Sequence, residues 1–225
     1  MSYVPEEGKV ILINKELRWT SFDVVKKIRN LLRIKKVGHA GTLDPLATGL
    51  LIICAGKMTK QINQFMDLEK EYTGTMLLGK TTPSVDLETE FDSQHSIEHI
   101  TKEAVITLTE KFTGQLMQEP PIFSAIKKDG SPLYLKARRG EEVKIEPRPV
   151  EAKLFEITES QLPEVKFRLI CSKGFYVRSL VRDFGNTLGV GACLTALERT
   201  RIGDFKLANA MTVEEFKGLL QELDS

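Results

Sequence analysis

Segments with the two-residue period of a β-strand alternate with segments of helical period along this chain, and no internal repeat separates them. Residues 165–171 place Val165, Phe167, Leu169 and Cys171 on one face of a strand, and Lys166, Arg168 and Ile170 on the other. Apolar residues recur at helical spacing over residues 22–32, behind a capping-box signature formed by Thr20 and Asp23. No apolar run approaches the roughly 20 residues that a membrane-crossing helix requires. Residues 133–139 are expected to form a short helix that ends at Gly140, and Pro147 and Pro149 indicate a connection. The alternation predicts a mixed α+β fold and no membrane partner.

The composition suits one large domain, and its net charge hides a segregated pattern. Of 225 residues 41% are apolar, and 32 Lys and Arg nearly balance 31 Asp and Glu, which leaves a net charge of +1. Residues 26–36 nevertheless hold six basic side chains and no acidic one, and residues 166–182 hold five and none. Such runs are typical of solvated helix faces, but phosphate binding also requires concentrated Lys and Arg. A nucleic-acid partner therefore stays open.

Several familiar chemistries are not expected. Residues 1–8 lack a basic and apolar leader, so we expect a cytoplasmic protein. Cys54, Cys171 and Cys193 are far apart and odd in number, which predicts reduced thiols that serve packing. The histidines within residues 95–99 have no further ligands at metal-binding spacing, and no Gly-x-Ser-x-Gly motif is present. Neither a metal site nor an acyl-transfer hydrolase is predicted.

The most informative stretch is residues 38–51, GHAGTLDPLATGLL. Its glycines permit close approach of the backbone to a ligand, and Pro45 favours an extended conformation for Asp44 in front of a buried strand over residues 50–55. The stretch therefore predicts a carboxylate presented on a loop. The simpler interpretation is that Asp44 only caps a turn, which is common for an isolated Asp-Pro pair.

This stretch resembles the signature of the bacterial tRNA pseudouridine synthase B family, TruB, in which the aspartate of Gly-His-x-Gly-x-Leu-Asp-Pro is catalytic. Further segments resemble the family's other motifs in the expected order over about residues 9–203: TSFDVV at 20–25, KEY at 70–72, PIFSAIK at 121–127, SKGFYVRSL at 172–180 and LERT at 197–200. The resemblance implies the α+β pseudouridine synthase fold, with a mixed central β-sheet flanked by helices. It also implies isomerisation of uridine to pseudouridine at the conventional position 55, in the T arm of tRNA.

For this reaction the resemblance implies three catalytic side chains and no cofactor. Breaking the C1′–N1 bond and rejoining C5 to the ribose requires a group at the sugar, a clamp on the freed uracil and a base for the C5 proton. Asp44 would attack C1′ or remove a sugar proton to give a glycal, and both routes stay open. Arg178 is implied as the ion-pair partner of Asp44. Tyr72 is implied to stack on the flipped uracil and to take the C5 proton.

The resemblance also implies substrate-binding residues. His39 would fill the gap left by the extruded nucleotide, Leu197 would line the base pocket, and Asp86 corresponds to a family acid near the base. Lysines at matching positions are expected to contact phosphates or to serve the structure: Lys15, Lys60 and Lys127. Taken alone, each of these residue types is more typical of packing or of the solvated surface.

Two departures from the family pattern concern a turn and the domain organisation. Residues 15–18 read KELR where the family has Lys-Pro-x-Gly, so the proline and glycine that shape that turn are missing. Many members carry a C-terminal PUA domain, whereas 22 residues follow Gly203. We therefore expect a catalytic domain over residues 1–203 and a short helical extension over 204–225. A monomer without that domain would bind tRNA through the catalytic body and the two basic runs, with steep salt dependence.

Two alternatives remain open on the sequence. One is an RNA-binding or tRNA-folding module with lost or secondary catalysis. The presence of Asp44, Tyr72 and Arg178 disfavours this alternative. The other is a glycosidase with Asp44 and Asp86 as paired carboxylates, whose separation decides the stereochemical course and cannot be read from sequence.

Overall fold

The structure is a computed structural model that describes residues 3, 6–124, 126–128, 130–139, 143 and 145–224. Within these ranges the α-helices are α1 Ser21–Leu32, α2 Ile62–Asp67, α3 Lys102–Leu108, α4 Leu133–Arg138, α5 Val177–Thr187 and α6 Val213–Asp224. The strands are β1 Lys9–Lys15, β2 Val37–His39, β3 Ala47–Ala55, β4 Lys70–Leu78, β5 Lys80–Thr81, β6 Ser93–Gln94, β7 Gly114–Gln118, β8 Lys127–Lys128, β9 Ser131–Pro132, β10 Arg148–Gln161, β11 Glu164–Cys171, β12 Ala192–Ile202 and β13 Phe205–Lys206. Short 3₁₀ helices occupy Gly56–Gln61, Thr109–Phe112 and Leu207–Asn209.

The chain forms two compact units. The first contains residues 1–73 and 197–225, and the second contains residues 74–196. Strands β4 and β12 each begin in one unit and end in the other. The boundary between the units therefore falls inside regular strands.

Strand β3 is the centre of the first unit. It pairs antiparallel with β1, from Lys9 opposite Ala55 to Lys15 opposite Gly49, and parallel with β12, where Leu197 lies opposite Ala47. This combination makes the sheet mixed. Alternate residues of β3 enter two apolar clusters, one with α1 and α6 and one with Met58 and α2. Burial on both faces explains the continuous apolar run that predicted this strand.

Capping boxes fix the starts of the two helices that pack on β1 and β3. The Thr20 hydroxyl accepts a hydrogen bond from the Asp23 amide at 3.0 Å, and the Asp23 carboxylate accepts from the Thr20 amide at 2.9 Å. Thr212 and Glu215 repeat this arrangement before α6, with distances of 3.2 and 2.7 Å. Val213 and Phe216 of α6 belong to the apolar cluster of β1 and α1. The predicted C-terminal helix is therefore part of the core of the first unit.

In the second unit, β10 pairs antiparallel with β7 and β11. The predicted inward face of β11 is confirmed, since Val165, Phe167, Leu169 and Cys171 are all at most 1% exposed. Phe155 of β10 makes edge-to-face contacts with Phe167 and with Phe184 of α5, at centroid distances of 5.7 and 5.6 Å. These rings fix α5 against the sheet.

The predicted α+β class is confirmed, with one local error. Pro147 and Pro149 suggested a connection, but Pro149 lies in β10 opposite Met117. The three cysteines are buried, in agreement with the packing role expected of them. The predicted end of α4 at Gly140 lies outside the described residues. No helix in the described ranges is long and apolar enough to span a membrane.

Candidate active site

Asp44 lies on the loop between β2 and β3, in the first unit. Its side chain is half-buried, and its carbonyl oxygen accepts a hydrogen bond from the Ala47 amide at 3.1 Å, which closes a turn around Pro45. The turn therefore uses the backbone of Asp44. Because this turn is closed by a backbone carbonyl, the turn interpretation and a chemical role for the side chain are compatible.

Ser21 holds the loop from the start of α1. The Ser21 hydroxyl accepts a hydrogen bond from the Leu43 amide at 2.9 Å and lies 3.3 Å from the Leu43 carbonyl oxygen, to which it can donate. Ser21 is only 2% exposed. The capping box fixes this end of α1. The Ser21 hydrogen bonds therefore hold Leu43, the residue just before Asp44, in a fixed position relative to the helix.

Lys15, at the end of β1, holds the other side of the loop. Its ammonium group donates to the carbonyl oxygens of Trp19 at 2.6 Å, Glu16 at 3.0 Å and Pro45 at 3.5 Å. The side chain is fully buried, so the structure favours the structural alternative for this lysine over a phosphate contact. Burial lowers the pKa of Lys15 to about 8, although the nearby Asp44 carboxylate acts in the opposite direction.

Arg199 of β12 is a third anchor, and the sequence did not single it out. Its guanidinium donates from Nε to the Leu50 carbonyl at 2.8 Å, from Nη2 to the Gly41 carbonyl at 3.1 Å and from Nη1 to the Thr42 carbonyl at 3.5 Å. It is only 1% exposed. Gly49 allows the backbone of Arg199 to lie close to β3, because a Cβ at Gly49 would lie 2.4 Å from the Arg199 carbonyl oxygen. The φ of Gly49, +102°, is also one that favours glycine.

His39 ends β2 and is half-buried beside these groups. Its Nδ1 is buried and makes no hydrogen bond to any described residue. Burial lowers the pKa of His39, the positive charge of Arg199 lowers it further, and a contact with the Gly41 backbone acts against them. The imidazole is therefore neutral at pH 7, which suits stacking on bases better than attracting phosphate.

The lowered pKa of His39 can be observed directly. In a ¹H NMR titration we expect the His39 ring resonances to move with a midpoint below 6.5. The chain has three histidines, so the His39→Gln variant assigns the resonance by its disappearance. A midpoint above 6.5 would contradict the electrostatic environment described here.

The buried ammonium of Lys15 predicts a specific pH dependence of stability. Between pH 8 and 10.5 the unfolded state binds a proton that folded Lys15 has released, so this group favours the folded state increasingly as the pH rises through that window. Urea unfolding of the wild type and of Lys15→Met should therefore differ in slope by up to about 1.4 kcal/mol per pH unit there. Below pH 8 the difference between the two proteins should be constant. Parallel pH profiles throughout would refute the lowered pKa.

The remaining predicted residues of the first unit occupy different environments. Tyr72 lies in β4 and is 8% exposed. Leu197 is half-buried in β12 opposite Ala47, and its carbonyl oxygen is 3.4 Å from the Thr48 hydroxyl. Leu197 thus lies on the strand next to the one that Asp44 precedes. Lys60 is exposed on the 3₁₀ helix after β3 and is free to reach a phosphate.

Arg178 and Asp86 form a buried ion pair in the second unit. Arg178 Nε lies 3.6 Å from Asp86 Oδ2, and their side chains are 4% and 6% exposed. Arg178 also donates to the carbonyl oxygens of Ser84 at 3.1 Å and Phe123 at 2.8 Å. Pairing of Arg178 with Asp44 stays a prediction, whereas its pairing with Asp86 was not anticipated. The side chain of Lys127, in the same unit, is outside the described residues.

The second basic run is not a continuous phosphate-binding surface. Lys166 pairs with Glu159 at 2.6 Å, Arg168 with Glu156 at 3.1 Å, and Arg182 with Asp183 at 2.8 Å. Arg178 is buried. Sequence proximity placed these cations together, but cross-strand and neighbouring carboxylates neutralise most of them, so the expectation that this run binds RNA is weakened.

The chain matches the profile described as TruB family pseudouridylate synthase (N terminal domain) over residues 29–177. Residues 178–224 match the tRNA pseudouridylate synthase B C-terminal domain. The α+β fold is thus that of the pseudouridine synthases, as the resemblance implied.

Relatives with similar sequences match this chain over nearly its whole length. The chain is 51% identical to the tRNA pseudouridine synthase B of Flavobacterium johnsoniae, over 96% of this chain and 97% of the relative. It is 49% identical to the protein of the same name from Phocaeicola vulgatus, over 96% and 95%. The chain therefore belongs to the TruB family.

Solved structures support the fold. A Cbf5-Nop10-Gar1 complex contains a chain that is 28% identical with a TM-score of 0.73, and the match covers 95% of this chain and 54% of that one. An H/ACA RNP bound to a substrate RNA containing 2′-deoxyuridine gives 25% identity and a TM-score of 0.72. This chain thus spans about half of the length of those larger proteins. Within its described residues, no cluster of His, Cys, Asp or Glu could hold a metal ion.

Proposed function

We propose that this protein isomerises uridine to pseudouridine at the conventional position 55 in the T arm of tRNA, with Asp44 as the catalytic carboxylate. Its relatives at about 50% identity are named tRNA pseudouridine synthase B. The observation that carries the proposal is the anchoring of the Asp44 loop by Ser21, Lys15 and Arg199. A carboxylate that must meet one ribose carbon requires such a pre-organised backbone.

The chemistry divides between the sugar and the base. Asp44 acts at the ribose, either by attack on C1′ or by removal of a sugar proton, and the C1′–N1 bond breaks. The freed uracil turns so that C5 faces C1′. When C5 bonds to C1′, the Asp44–C1′ bond breaks on the first route, and the sugar proton returns from Asp44 on the second. Tyr72 stacks on the base and takes the C5 proton, and N1 gains a proton in the product. The Lys15 ammonium interacts electrostatically with the Asp44 carboxylate and so favours its ionised form.

Extrusion of the nucleotide involves the neighbouring groups. His39, neutral and half-buried beside the loop, fills the gap left in the RNA stack. Leu197 supplies an apolar wall for the uracil, and the exposed Lys60 contacts a phosphate. Arg178 supports the ionised Asp44, and Asp86 holds Arg178. We assign the catalytic domain to residues 1–203, with residues 204–225 as an extension, and we propose that the protein acts as a monomer in the cytoplasm.

Incubation of the wild-type protein with whole tRNA and with a minimal T-arm hairpin tests this proposal, with pseudouridine mapped at each uridine. We expect pseudouridine at position 55 in both RNAs. Modification at another position would refute the site specificity, and absence of pseudouridine in both would leave an RNA-binding module. Release of free uracil without isomerisation would support the glycosidase alternative. Analytical ultracentrifugation of the active protein tests the monomer, for which we expect a mass of 25.3 kDa.

A further inference from the structure

The first unit contains a pocket that the proposed chemistry does not use. Its volume is about 380 Å³, and it is lined by Arg18, Trp19, Asp23, Lys26, Lys27 and Asn30. Ligand pockets begin at about 300 Å³, so this one has room for a single nucleotide. An indole beside several cations is the combination that binds single nucleotides of RNA, because the ring stacks on a base and the cations meet phosphate.

One face of helix α1 forms the floor of the pocket. Asp23, Lys26, Lys27 and Asn30 follow one another at the spacing i, i+3, i+4 and i+7, which places their side chains on a single face. Trp19 forms a wall. It is half-buried and packs against the apolar cluster of β1 and α1, which restrains the indole while part of it faces the pocket.

Arg18 indicates that the pocket is more than an accidental surface hollow. Its φ of +67° lies in the left-handed region, where a residue with a Cβ costs roughly 1 kcal/mol and glycine costs nothing. The chain nevertheless carries arginine there, and its side chain lines the pocket. Residues held in such conformations cluster at functional sites. The turn before α1 therefore directs a cation into the pocket.

The charges of the pocket favour an anion. Asp23 is its one acid among the described lining residues, and its carboxylate is engaged by the Thr20 amide and hydroxyl at 2.9 and 2.6 Å. In the described part of the chain neither Lys26 nor Lys27 forms an ion pair with a carboxylate. This contrasts with the second basic run, whose cations are largely paired. Arg18 and the two lysines thus give the pocket a positive surplus.

The pocket is joined directly to the Asp44 loop. The Arg18 amide donates to the Pro45 carbonyl at 2.7 Å, and the Trp19 carbonyl accepts from Lys15, which also reaches Pro45. Two consecutive pocket residues are therefore tied to the residue after Asp44. The pocket and the Asp44 loop are therefore neighbours in the first unit.

We propose that this pocket binds a second nucleotide of the RNA substrate, its base stacked on the Trp19 indole and its phosphates held by Arg18, Lys26 and Lys27. The proposal rests on the proposed function, because it concerns the same RNA. It assigns RNA contacts to Lys26 and Lys27 of the first basic run and predicts that the pocket contributes to substrate binding rather than to the chemical step.

Trp19 is the only tryptophan of the chain, so it reports on its own pocket. Titration of wild-type protein with the T-arm hairpin should quench Trp19 fluorescence saturably, with the same midpoint as the anisotropy of a labelled hairpin. Heparin supplies the charge without bases and should bind without that quenching. Unchanged fluorescence at saturating hairpin, or equal quenching by heparin, would overturn the stacking of a base on Trp19.

Charge-matched variants test the phosphate contacts. Lys26→Gln/Lys27→Gln removes two pocket charges, and Lys35→Gln/Lys36→Gln removes two exposed charges of the same run that do not line the pocket. We expect the pocket variant to raise KM at least about tenfold and to keep kcat within twofold of the wild type. In a plot of log binding constant for RNA against log salt concentration, its slope should be smaller in magnitude by about 1.4 to 1.8. The control variant should raise KM less than threefold, and Lys26→Arg/Lys27→Arg should retain wild-type KM.

Equal KM values for the pocket and control variants would overturn the proposal, since only general electrostatics would then be at work. All three variants change exposed or half-buried side chains, and thermal unfolding midpoints near that of the wild type confirm that they fold. Failure of the proposed function gives a different result, which is wild-type protein that binds the hairpin but forms no pseudouridine.

Discussion

Asp44→Asn is expected to lower tritium release from 5-tritiated uridine in tRNA by at least about 10⁴-fold, a loss of the size seen when a nucleophile or general base is removed. The amide is isosteric with the carboxylate, but it is uncharged and cannot serve as nucleophile or base at the ribose. Because the loop is held through the carbonyls of Gly41, Thr42 and Pro45 and through both backbone groups of Leu43, the backbone should keep its position.

A second effect of this variant distinguishes an intact site from a damaged one. The Asp44 charge raises the pKa of Lys15 against the effect of burial, so Asp44→Asn should move that pKa further below about 8. Asp204→Asn, an exposed change of the same chemistry in the same unit, should leave both tritium release and the Lys15 titration unchanged. Full tritium release by Asp44→Asn would remove the basis of the proposed mechanism.

Elements with strong local signals were predictable from the sequence. The Thr20–Asp23 capping box placed the start of α1 correctly, since both of its reciprocal hydrogen bonds form. The apolar residues at every second position predicted β11, and an uninterrupted apolar run predicted β3. These signals depend on contacts within one element or on burial of a whole face. Both kinds of information can be read from the local sequence.

Strand β10 lacked such a signal. A register shift between Ala152 and Leu154 breaks the period of two, so the buried positions Val150, Ala152 and Phe155 are not evenly spaced. Pro149 near its start also suggested a loop. A proline is compatible with a strand where its missing N–H is not needed for pairing, and local sequence does not reveal that condition.

The anchors of the Asp44 loop illustrate a second limit. Lys15 had a readable signal, because in KVILINK it shares the alternating face of Ile11 and Ile13, which is the buried face of β1. Arg199 lies in the LERT segment at 197–200, but its contacts could not be read, since its partners Gly41, Thr42 and Leu50 are about 150 residues away in sequence. The Arg178–Asp86 pair likewise joins distant segments. The motifs therefore marked both the catalytic candidates and their anchors, but not the contacts that join them.

Arg178→Met should destabilise the protein by about 3 to 5 kcal/mol, because it leaves Asp86 as an uncompensated charge in a buried site. It also removes the donors to the carbonyls of Ser84 and Phe123. Asp86→Asn in the same background removes the stranded charge, so the double variant should be more stable than Arg178→Met alone. Urea unfolding of the wild type, both single variants and the double variant measures this coupling.

The activity of the double variant separates the two roles assigned to Arg178. If Arg178 served only to neutralise Asp86, the recovery of folding in Arg178→Met/Asp86→Asn would bring back tritium release. If the proposed role of Arg178 in supporting the ionised Asp44 is correct, we expect a folded protein that remains at least about 10²-fold less active than the wild type, because that guanidinium is still missing. Arg182→Met, whose partner Asp183 is partly solvated, should lose less than about 1 kcal/mol and keep its activity. Recovery of full activity in the double variant would confine Arg178 to its pairing with Asp86 and remove it from the catalytic residues.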